Sequence, residues 1–253
     1  PEDRIQEDYL RILRYFRFFI QYSNTTFDHD AIKSIKKNIN GLNKISKERI
    51  FDELKKILKL KNLYNLFLND SSREIILNIF PQLKYYERLK LIKSLDKNVI
   101  DCYDNNLVLA IMIVDQSNDY EYFCHKYKTS NVIKKRLKNI STNFENFGNK
   151  KFYLKDNIRK LIYLSSKSEV KDLLLLSVCT TNKVKALHIE ELLDYVDVCK
   201  IPKFPFSGNY LKEHGYTTSP ALGKKLKSLE EKWIDNNFVI DKKMLEKSLG
   251  KTK

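Results

Sequence analysis

The chain has 253 residues, 42% of them hydrophobic, and a formal net charge of +15. With only six glycines and five prolines, it favours long helices over a turn-rich sheet protein, and at about 100 to 200 residues per domain it has room for two or three helical subdomains. We predict an all-α fold. The excess of lysine favours an acidic partner, either nucleic acid or an anionic membrane surface, although AT-rich coding DNA alone also produces a merely solvated basic surface.

Cysteine spacing and hydropathy predict the compartment. The cysteines lie far apart and form no CxxC pair, which argues against a zinc site and against a disulfide framework. We predict that all four are reduced core residues: Cys102, Cys124, Cys179 and Cys199. We find no signal peptide and no apolar run of the roughly 20 residues that a membrane span needs. The expectation is a cytoplasmic protein with no membrane partner and no metal bound by this chain.

The first predicted helix covers EDYLRILRYFRFF, Glu7 to Phe19. At 100° per residue, seven apolar side chains share one face and the arginines occupy the opposite face. Leu10 and Phe18 fall among the arginines, where water alone does not favour apolar groups, so the charged face is predicted to meet something. The predicted core face consists of Ile5, Tyr9, Ile12, Leu13, Phe16, Phe19 and Ile20.

Asp8 and Arg11 are three residues apart on this helix and should be neighbours. A carboxylate accepts hydrogen bonds and a guanidinium donates them. Cytosine and adenine each present an amine donor beside an acceptor ring nitrogen, whereas guanine and uracil present the reverse order, so the pair suits C and A. An ordinary Asp-Arg pair of about 0.2 to 0.5 kcal/mol is the alternative.

Helix starts and lysines mark the next segments. Asp28-His29-Asp30 has the letters of a D-x-D motif, but no Gly-Ser precedes it, and we interpret it as the N-cap of a helix. Five lysines follow, which either contact phosphates or form a solvated face; they are Lys33, Lys36, Lys37, Lys44 and Lys47. Ser46 is predicted to cap a helix in which Arg49 and Glu53 stand at i, i+4, the spacing of an ordinary surface pair.

Most of the glycines and prolines, which interrupt helices, lie in the last fifty residues. Ser207 is predicted to open a short helix that Gly215 closes in the left-handed conformation, and Ser219-Pro220 to open the next helix. Exposed amides near Ala221 to Gly223 suit a phosphate, but a tight, well-capped hairpin explains the same residues. The predicted buried stripe of the second helix is Leu222, Leu226, Leu229 and Trp233.

Three segments resemble one known family. EDYLRILRYFRFF resembles the ED-x-x-R segment of the class II tRNA nucleotidyltransferases and bacterial poly(A) polymerases. ISKERIFDEL, Ile45 to Leu54, resembles the ER-x-x-x-E motif that follows it. FPFSGNYLKEHGYTTSPALGKKLKSLEEKWIDNNF resembles the tail of many bacterial members. The resemblance implies a neck over residues 1–60, a helical body over 61–147 and a tRNA-binding helical tail over 148–253.

The resemblance also implies roles for individual residues. Asp8 and Arg11 would form an amino-acid template for incoming CTP and ATP, and Arg14 and, ranked last, Arg17 would help to hold the nucleotide. Four residues would support the nucleotide-binding helix without touching substrate: Glu7, Glu48, Arg49 and Glu53. The five lysines would grip the backbone of tRNA or of another RNA 3′ end.

The family's catalytic carboxylates hold two Mg²⁺ ions in a β-sheet head with a GS motif followed by D-x-D. We recognise no such head here, so we expect no catalytic residue in this chain and no activity from it alone, with a separate head polypeptide as one possible supplier. The sequence starts with Pro1, which leaves open whether the chain is a fragment, a split-gene product or a mature form from which Met has been removed. Because Asp8 and Arg11 can accommodate both C and A, they favour CCA addition over poly(A) addition, which needs only A. A non-catalytic RNA-binding module descended from such an enzyme is the alternative.

Overall fold

The computed structural model describes residues 2–22, 27–93, 95, 97–180 and 186–240. In these residues the regular structure is helical and no strand is present, which confirms the all-α prediction. The α-helices, numbered in chain order from α1 to α15, are Glu2–Glu7, Arg11–Tyr22, His29–Asn38, Lys47–Leu58, Asp70–Ile79, Leu89–Lys93, Lys97–Ile100, Asn105–Ile113, Asp119–Lys126, Asn131–Asn143, Lys155–Leu164, Lys167–Thr180, Ala186–Val198, Gly208–Glu213 and Pro220–Asp235. Short 3₁₀ helices cover Ile39–Lys44, Leu63–Phe67, Tyr86–Arg88, Phe144–Gly148 and Lys150–Tyr153.

The chain divides into two compact units. The first unit comprises Pro1–Lys150 and Lys171–Leu193, and the second comprises Lys151–Val170 and Asp194–Lys253. The neck, body and tail expected from the sequence are a division by role, and that division stays a prediction. None of the described helices is both long and apolar enough to span a bilayer.

Local side-chain chemistry sets several helix starts in the first unit. The Asp28 carboxylate accepts a hydrogen bond from the Ala31 amide at 2.7 Å, so the D-x-D letters mark the N-cap of α3 as predicted. Ser46 caps α4 in the same way, with 3.4 Å between its Oγ and the Arg49 amide nitrogen. Each cap satisfies a backbone N–H that has no partner within its own helix.

Helix α8 forms the centre of the first unit. Its residues from Leu109 to Ile113 are completely buried. A helix that is apolar on all sides must be surrounded by other elements, and α8 packs against α4, α6 and α10. The cysteine prediction needs one correction, because Cys102 is exposed whereas Cys124, Cys179 and Cys199 are buried. Cys102 follows the short helix α7 and precedes α8, where the chain runs at the surface.

In the second unit, the end of the chain folds around Trp233. The indole contacts the rings of Tyr163, Phe204 and Phe238, with ring centroids 4.9 to 5.5 Å apart. Ser207 caps α14, Gly215 closes it with φ of 86°, and Ser219-Pro220 opens α15, all as predicted. Of the predicted stripe, Leu229 and Trp233 are buried, and Leu222 and Leu226 are half-buried.

Candidate functional site

The single helix predicted over Glu7–Phe19 is wrong at one point, because the chain breaks between α1 and α2 at Asp8, Tyr9 and Leu10. Asp8 starts α2. Its carbonyl accepts from the Arg11 amide at 2.9 Å, and its Oδ1 accepts from the Leu10 amide at 3.1 Å. The break turns Leu10 into the core, where it is 3% exposed, and this removes one of the two apolar residues that the helical wheel left among the arginines.

The two predicted template residues both lie at this break, but each pairs with another group. Asp8 Oδ2 lies 3.1 Å from Arg14 Nη1, and Asp8 Oδ1 lies 3.8 Å from Arg49 Nη2. Arg11 Nη2 instead lies 3.1 Å from Glu7 Oε2. The side chains of Asp8 and Arg11 are 24% and 38% exposed, so both remain accessible from solvent.

A buried carboxylate, that of Glu53, contacts the arginines that follow Asp8 and Arg11 on α2. Glu53 is 2% exposed, and three cations surround it: Arg17 Nε lies at 3.1 Å, Lys56 Nζ at 2.7 Å and Arg14 Nε at 3.6 Å. Burying an unpaired carboxylate is strongly unfavourable, so these cations are what makes the position tolerable. Glu53 therefore fastens α4 to α2.

The structure joins the two motif segments through this network. Arg49 and Glu53 do not form the ordinary i, i+4 pair; Arg49 reaches Asp8 and Glu53 reaches the arginines of α2. We call these residues the arginine cluster: Asp8, Arg14, Arg17, Arg49, Glu53 and Lys56. Its four cations outnumber its two carboxylates, so the cluster retains positive charge. Arg17 is only 18% exposed, which suits support of α2 better than direct contact with a nucleotide.

A glycine fixes the residue next to Asp8. A Cβ added to Gly41 would lie 2.0 Å from the Tyr9 ring, well inside van der Waals contact. Any side chain there must displace Tyr9, the first residue after Asp8. The close approach of these two segments, more than thirty residues apart, gives no signal in the sequence.

The remaining predicted residues lie outside the arginine cluster. Lys36 pairs with Glu74 at 2.6 Å and Lys37 with Glu2 at 2.7 Å. In the part of the chain that the structure describes, no ion pair is formed by Lys33, Lys44 or Lys47. Glu48 does not join the cluster either; it pairs with Lys128 at 2.9 Å, and this contact lowers the pKa of the Glu48 carboxyl.

Phe18 stays at the surface of α2 as the helical wheel predicts. It is 46% exposed, and it stacks on Tyr22, which is 73% exposed, with ring centroids 6.1 Å apart. The Arg17 guanidinium lies 4.2 Å from the Phe18 ring centroid on the same helix.

Mg²⁺ does not fit the described residues. No group of three or more histidine, cysteine, aspartate or glutamate side chains among them is placed to hold a metal ion. Asp28 is engaged as a helix cap, and His29 and Asp30 stand almost fully exposed beside it. No chemical step is therefore assigned to a metal bound by these residues.

The all-α fold and the contact between the two motif segments can be compared with known proteins. A family model described as "probable RNA and SrmB-binding site of polymerase A" matches residues 25–87. The mitochondrial CCA tRNA nucleotidyltransferase 1 of Mus musculus is 29% identical over 99% of this chain, and the alignment covers 57% of that relative. The CCA-adding enzyme of Staphylococcus epidermidis is 25% identical over 96% of this chain and 60% of its own length.

Solved structures share the fold. A Thermotoga maritima CCA-adding enzyme in complex with tRNA superimposes with a TM-score of 0.61 at 15% identity, covering 98% of this chain and 62% of that one. A CCA-adding enzyme in complex with ATP gives a TM-score of 0.62 at 17% identity, covering 98% and 61%. The chain thus spans about three fifths of the proteins that it matches. Its fold is that of the helical part of these CCA-adding enzymes.

Proposed function

We propose that this chain selects CTP and ATP and binds RNA as the helical part of a tRNA nucleotidyltransferase that adds CCA to RNA 3′ ends. One observation carries the proposal: Asp8 and Arg11 flank the start of α2, both are partly exposed, and a buried carboxylate on α4 holds that helix in place. Relatives named for CCA addition and a neighbour in complex with tRNA support the substrate class.

Asp8 and Arg11 can hydrogen-bond to a nucleotide base without losing their contacts within the protein. A carboxylate offers about four lone-pair sites, so Asp8 can accept from the base amine while it keeps its bonds to Arg14 and the Leu10 amide. A guanidinium has five N–H donors, so Arg11 can donate to the ring nitrogen while it still contacts Glu7. Guanine and uracil would place donor against donor and acceptor against acceptor, which leaves polar groups unpaired and lowers affinity.

Glu53, Arg17 and Arg49 are assigned as positioning residues in this proposal. They fix the start of α2, and the positive charge left over in the arginine cluster favours the phosphates of the incoming nucleotide, with Arg14 nearest to Asp8. Lys33, Lys44 and Lys47 carry charge that no carboxylate among the described residues neutralises, so they are the lysines best suited to RNA phosphates. Lys36 and Lys37 already hold carboxylates and contribute less.

We place the metal-binding carboxylates of the reaction outside these 253 residues, in a part equivalent to the rest of the relatives' length or in a separate head polypeptide. Poly(A) addition remains the second candidate, because an A-only enzyme would use the same two template groups. A cytoplasmic location belongs to the same proposal, to be tested by fractionation of cells that express the protein, since several relatives are named mitochondrial.

Equilibrium binding of CTP, ATP, UTP and GTP to the chain tests the assignment directly. Asp8→Asn keeps the size of the side chain but presents a donor, so preference for C and A over G and U should fall about tenfold, the equivalent of 1.4 kcal/mol. Asp52→Asn is the matched control, because Asp52 is an exposed carboxylate of α4 paired with Lys55. Equal preference among the four nucleotides in the unaltered chain would overturn the template role.

Addition of nucleotides is the second test. The chain is mixed with the catalytic head of a CCA-adding relative and with tRNA that lacks its 3′ end, and CTP and ATP incorporation is followed. Incorporation of both supports CCA addition, ATP alone supports poly(A) addition, and unchanged C and A selection by Arg11→Ala contradicts the role of Arg11.

A further inference from the structure

A small polar pocket in the first unit has no role in the nucleotide site. It lies between the 3₁₀ helix Ile39–Lys44, the start of α4, the end of α5 and the end of α9. Its volume is about 100 Å³, more than one water molecule needs. The polar groups around it are two lysines and three asparagines: Lys47, Lys126, Asn40, Asn43 and Asn78.

The two lysines place uncompensated positive charge in the pocket. Both are half-buried, and neither forms an ion pair within the described ranges of the chain. The contrast with Lys128 is direct, since that lysine lies two residues further on and pairs with Glu48 at 2.9 Å. Burial, followed by the positive charge of Lys47, lowers the pKa of Lys126. An anion between the two ammonium groups would relieve that repulsion.

The asparagines supply neutral donors around the same space. The side chains of Asn40, Asn43 and Asn78 are exposed, and none hydrogen-bonds to another described residue. Each amide has two N–H donors. The Tyr127 hydroxyl, by contrast, is engaged with the Ile79 carbonyl at 2.8 Å and is not available. Two cations and three amides with free donors match a tetrahedral oxyanion, which only accepts hydrogen bonds.

We propose that this pocket binds a phosphoryl group of the RNA backbone, with Lys47 and Lys126 neutralising the charge and the three asparagines donating to its oxygens. The proposal rests on the RNA binding proposed above and adds a defined contact to it. Free nucleotides carry the same phosphoryl chemistry, and the experiments below distinguish the two sources. Lys126 was absent from the lysines singled out by sequence, because it joins Lys47 only through folding.

The main test is tRNA affinity measured over a range of salt concentrations. Lys47→Gln and Lys126→Gln should each weaken binding about threefold to tenfold, and the double variant should lower the slope of log affinity against log salt by about 1, the value for one lost phosphate contact. The two effects should not add, because both lysines act on the same phosphate. Lys55→Gln is the matched control on α4, since Lys55 already pairs with Asp52 at 2.7 Å; it should leave the slope unchanged.

Two further arms identify the source of the phosphate. ATP affinity should be the same in the double variant as in Lys55→Gln. If ATP binding weakens and tRNA binding does not, the pocket serves free nucleotides and the assignment to the RNA backbone is wrong. Asp8→Asn should leave the tRNA salt slope intact, so that failure of the nucleotide site is distinguished from failure of this pocket.

A titration with inorganic phosphate tests whether the pocket binds phosphate, even if the chain does not bind tRNA. The side-chain amide NMR signals of Asn40, Asn43 and Asn78 should shift with phosphate but not with chloride at equal ionic strength. The shifts should disappear in the double variant and persist in Lys55→Gln. Signals that do not move with phosphate, or that move equally in the double variant, would overturn the proposal.

Discussion

Two clusters in the first unit bring arginine and carboxylates together, and they differ in charge balance. In the first, the arginine cluster, four cations share two carboxylates. In the second, one guanidinium is held by two carboxylates: Arg136 contacts Asp172 through Nε and Nη2 and Asp104 through Nη1, each at 2.6 Å. We call the second set the Arg136 clamp.

The difference in charge balance suits the two clusters to different roles. Every nitrogen of the Arg136 guanidinium has an acceptor, and the clamp has no positive charge left for a ligand. Asp104 also caps α8, with 2.8 Å between its Oδ1 and the Leu107 amide, so the clamp ties α10 and α12 to the start of the central helix. The arginine cluster keeps surplus positive charge at a half-exposed helix start. Arginine and carboxylate side chains therefore connect helices in the clamp, and in the arginine cluster they leave the positive charge on which the proposed nucleotide site depends.

The largest expected effect comes from breaking the clamp. Arg136→Leu leaves Asp172, which is 8% exposed, as a buried charge without its bidentate partner. The free energy of unfolding should fall by about 3 to 5 kcal/mol, as measured by urea denaturation. Arg136→Lys, which keeps the charge but loses the two-pronged geometry, should lose less.

If the contrast between the clusters is correct, discrimination among the four nucleotides should be unchanged in Arg136→Lys under conditions where it is folded. A loss of C and A preference in that variant would show that the clamp is not merely structural.

The second effect is smaller and affects both stability and binding. Glu53→Gln removes the carboxylate that Arg14, Arg17 and Lys56 share. Because these cations are partly exposed and can turn to water, we expect a loss of about 1 to 3 kcal/mol. Affinity for CTP and ATP should weaken together, since the start of α2 loses its anchor. Urea denaturation and nucleotide titration of the same sample measure both effects.

Asp52→Asn, on the exposed side of the same helix, is the control for Glu53→Gln and should change neither quantity measurably. A Glu53→Gln variant with unaltered affinity for both nucleotides would remove Glu53 from the positioning residues.

The sequence predicts those features of the fold and the candidate site that depend on residues close together in the chain. Asp28, Ser46, Ser207 and Gly215 cap or close helices where predicted, because a cap acts on backbone groups two to four residues away. The all-α class follows from the same local preferences. Aspartate side chains favour local turns in which they accept from the amide two residues on, as Asp8 does from Leu10, so the break before α2 had a local signal that the continuous helical wheel concealed.

Contacts between distant segments could not be predicted in this way. Arg49 and Glu53 were open to interpretation as an ordinary surface pair, and only the packing of α4 on α2 shows that they reach Asp8, Arg14 and Arg17 instead. The pairing of Glu48 with Lys128, which are eighty residues apart, likewise depends on how the helices pack. The family resemblance supplied the roles, but not this geometry.

A third perturbation tests the packing behind Asp8. Gly41→Ala places a methyl group where the Tyr9 ring lies, and the ring must move. Overpacking of this kind typically costs about 1 to 3 kcal/mol, and the displacement should also weaken nucleotide binding through Asp8. Gly223→Ala is the control, because nothing lies within 4 Å of its added methyl group. Within α15 that change should be neutral or stabilising by up to about 1 kcal/mol.

The smallest expected effect is a change in the reactivity of the Cys179 thiol. It shows which of the two clusters stabilises the helix that carries this cysteine. Burial raises the pKa of Cys179 to about 12, so at pH 8 only about one in ten thousand of these thiols is ionised, and alkylation should be confined mainly to the exposed Cys102. Cys179 lies on α12, the helix that Arg136 holds through Asp172. Arg136→Lys should therefore speed modification of Cys179, measured by mass spectrometry of the alkylated peptides, whereas Glu53→Gln should not. Equal acceleration by both variants would mean that the two clusters stabilise one cooperative structure, and that only their ligands tell them apart.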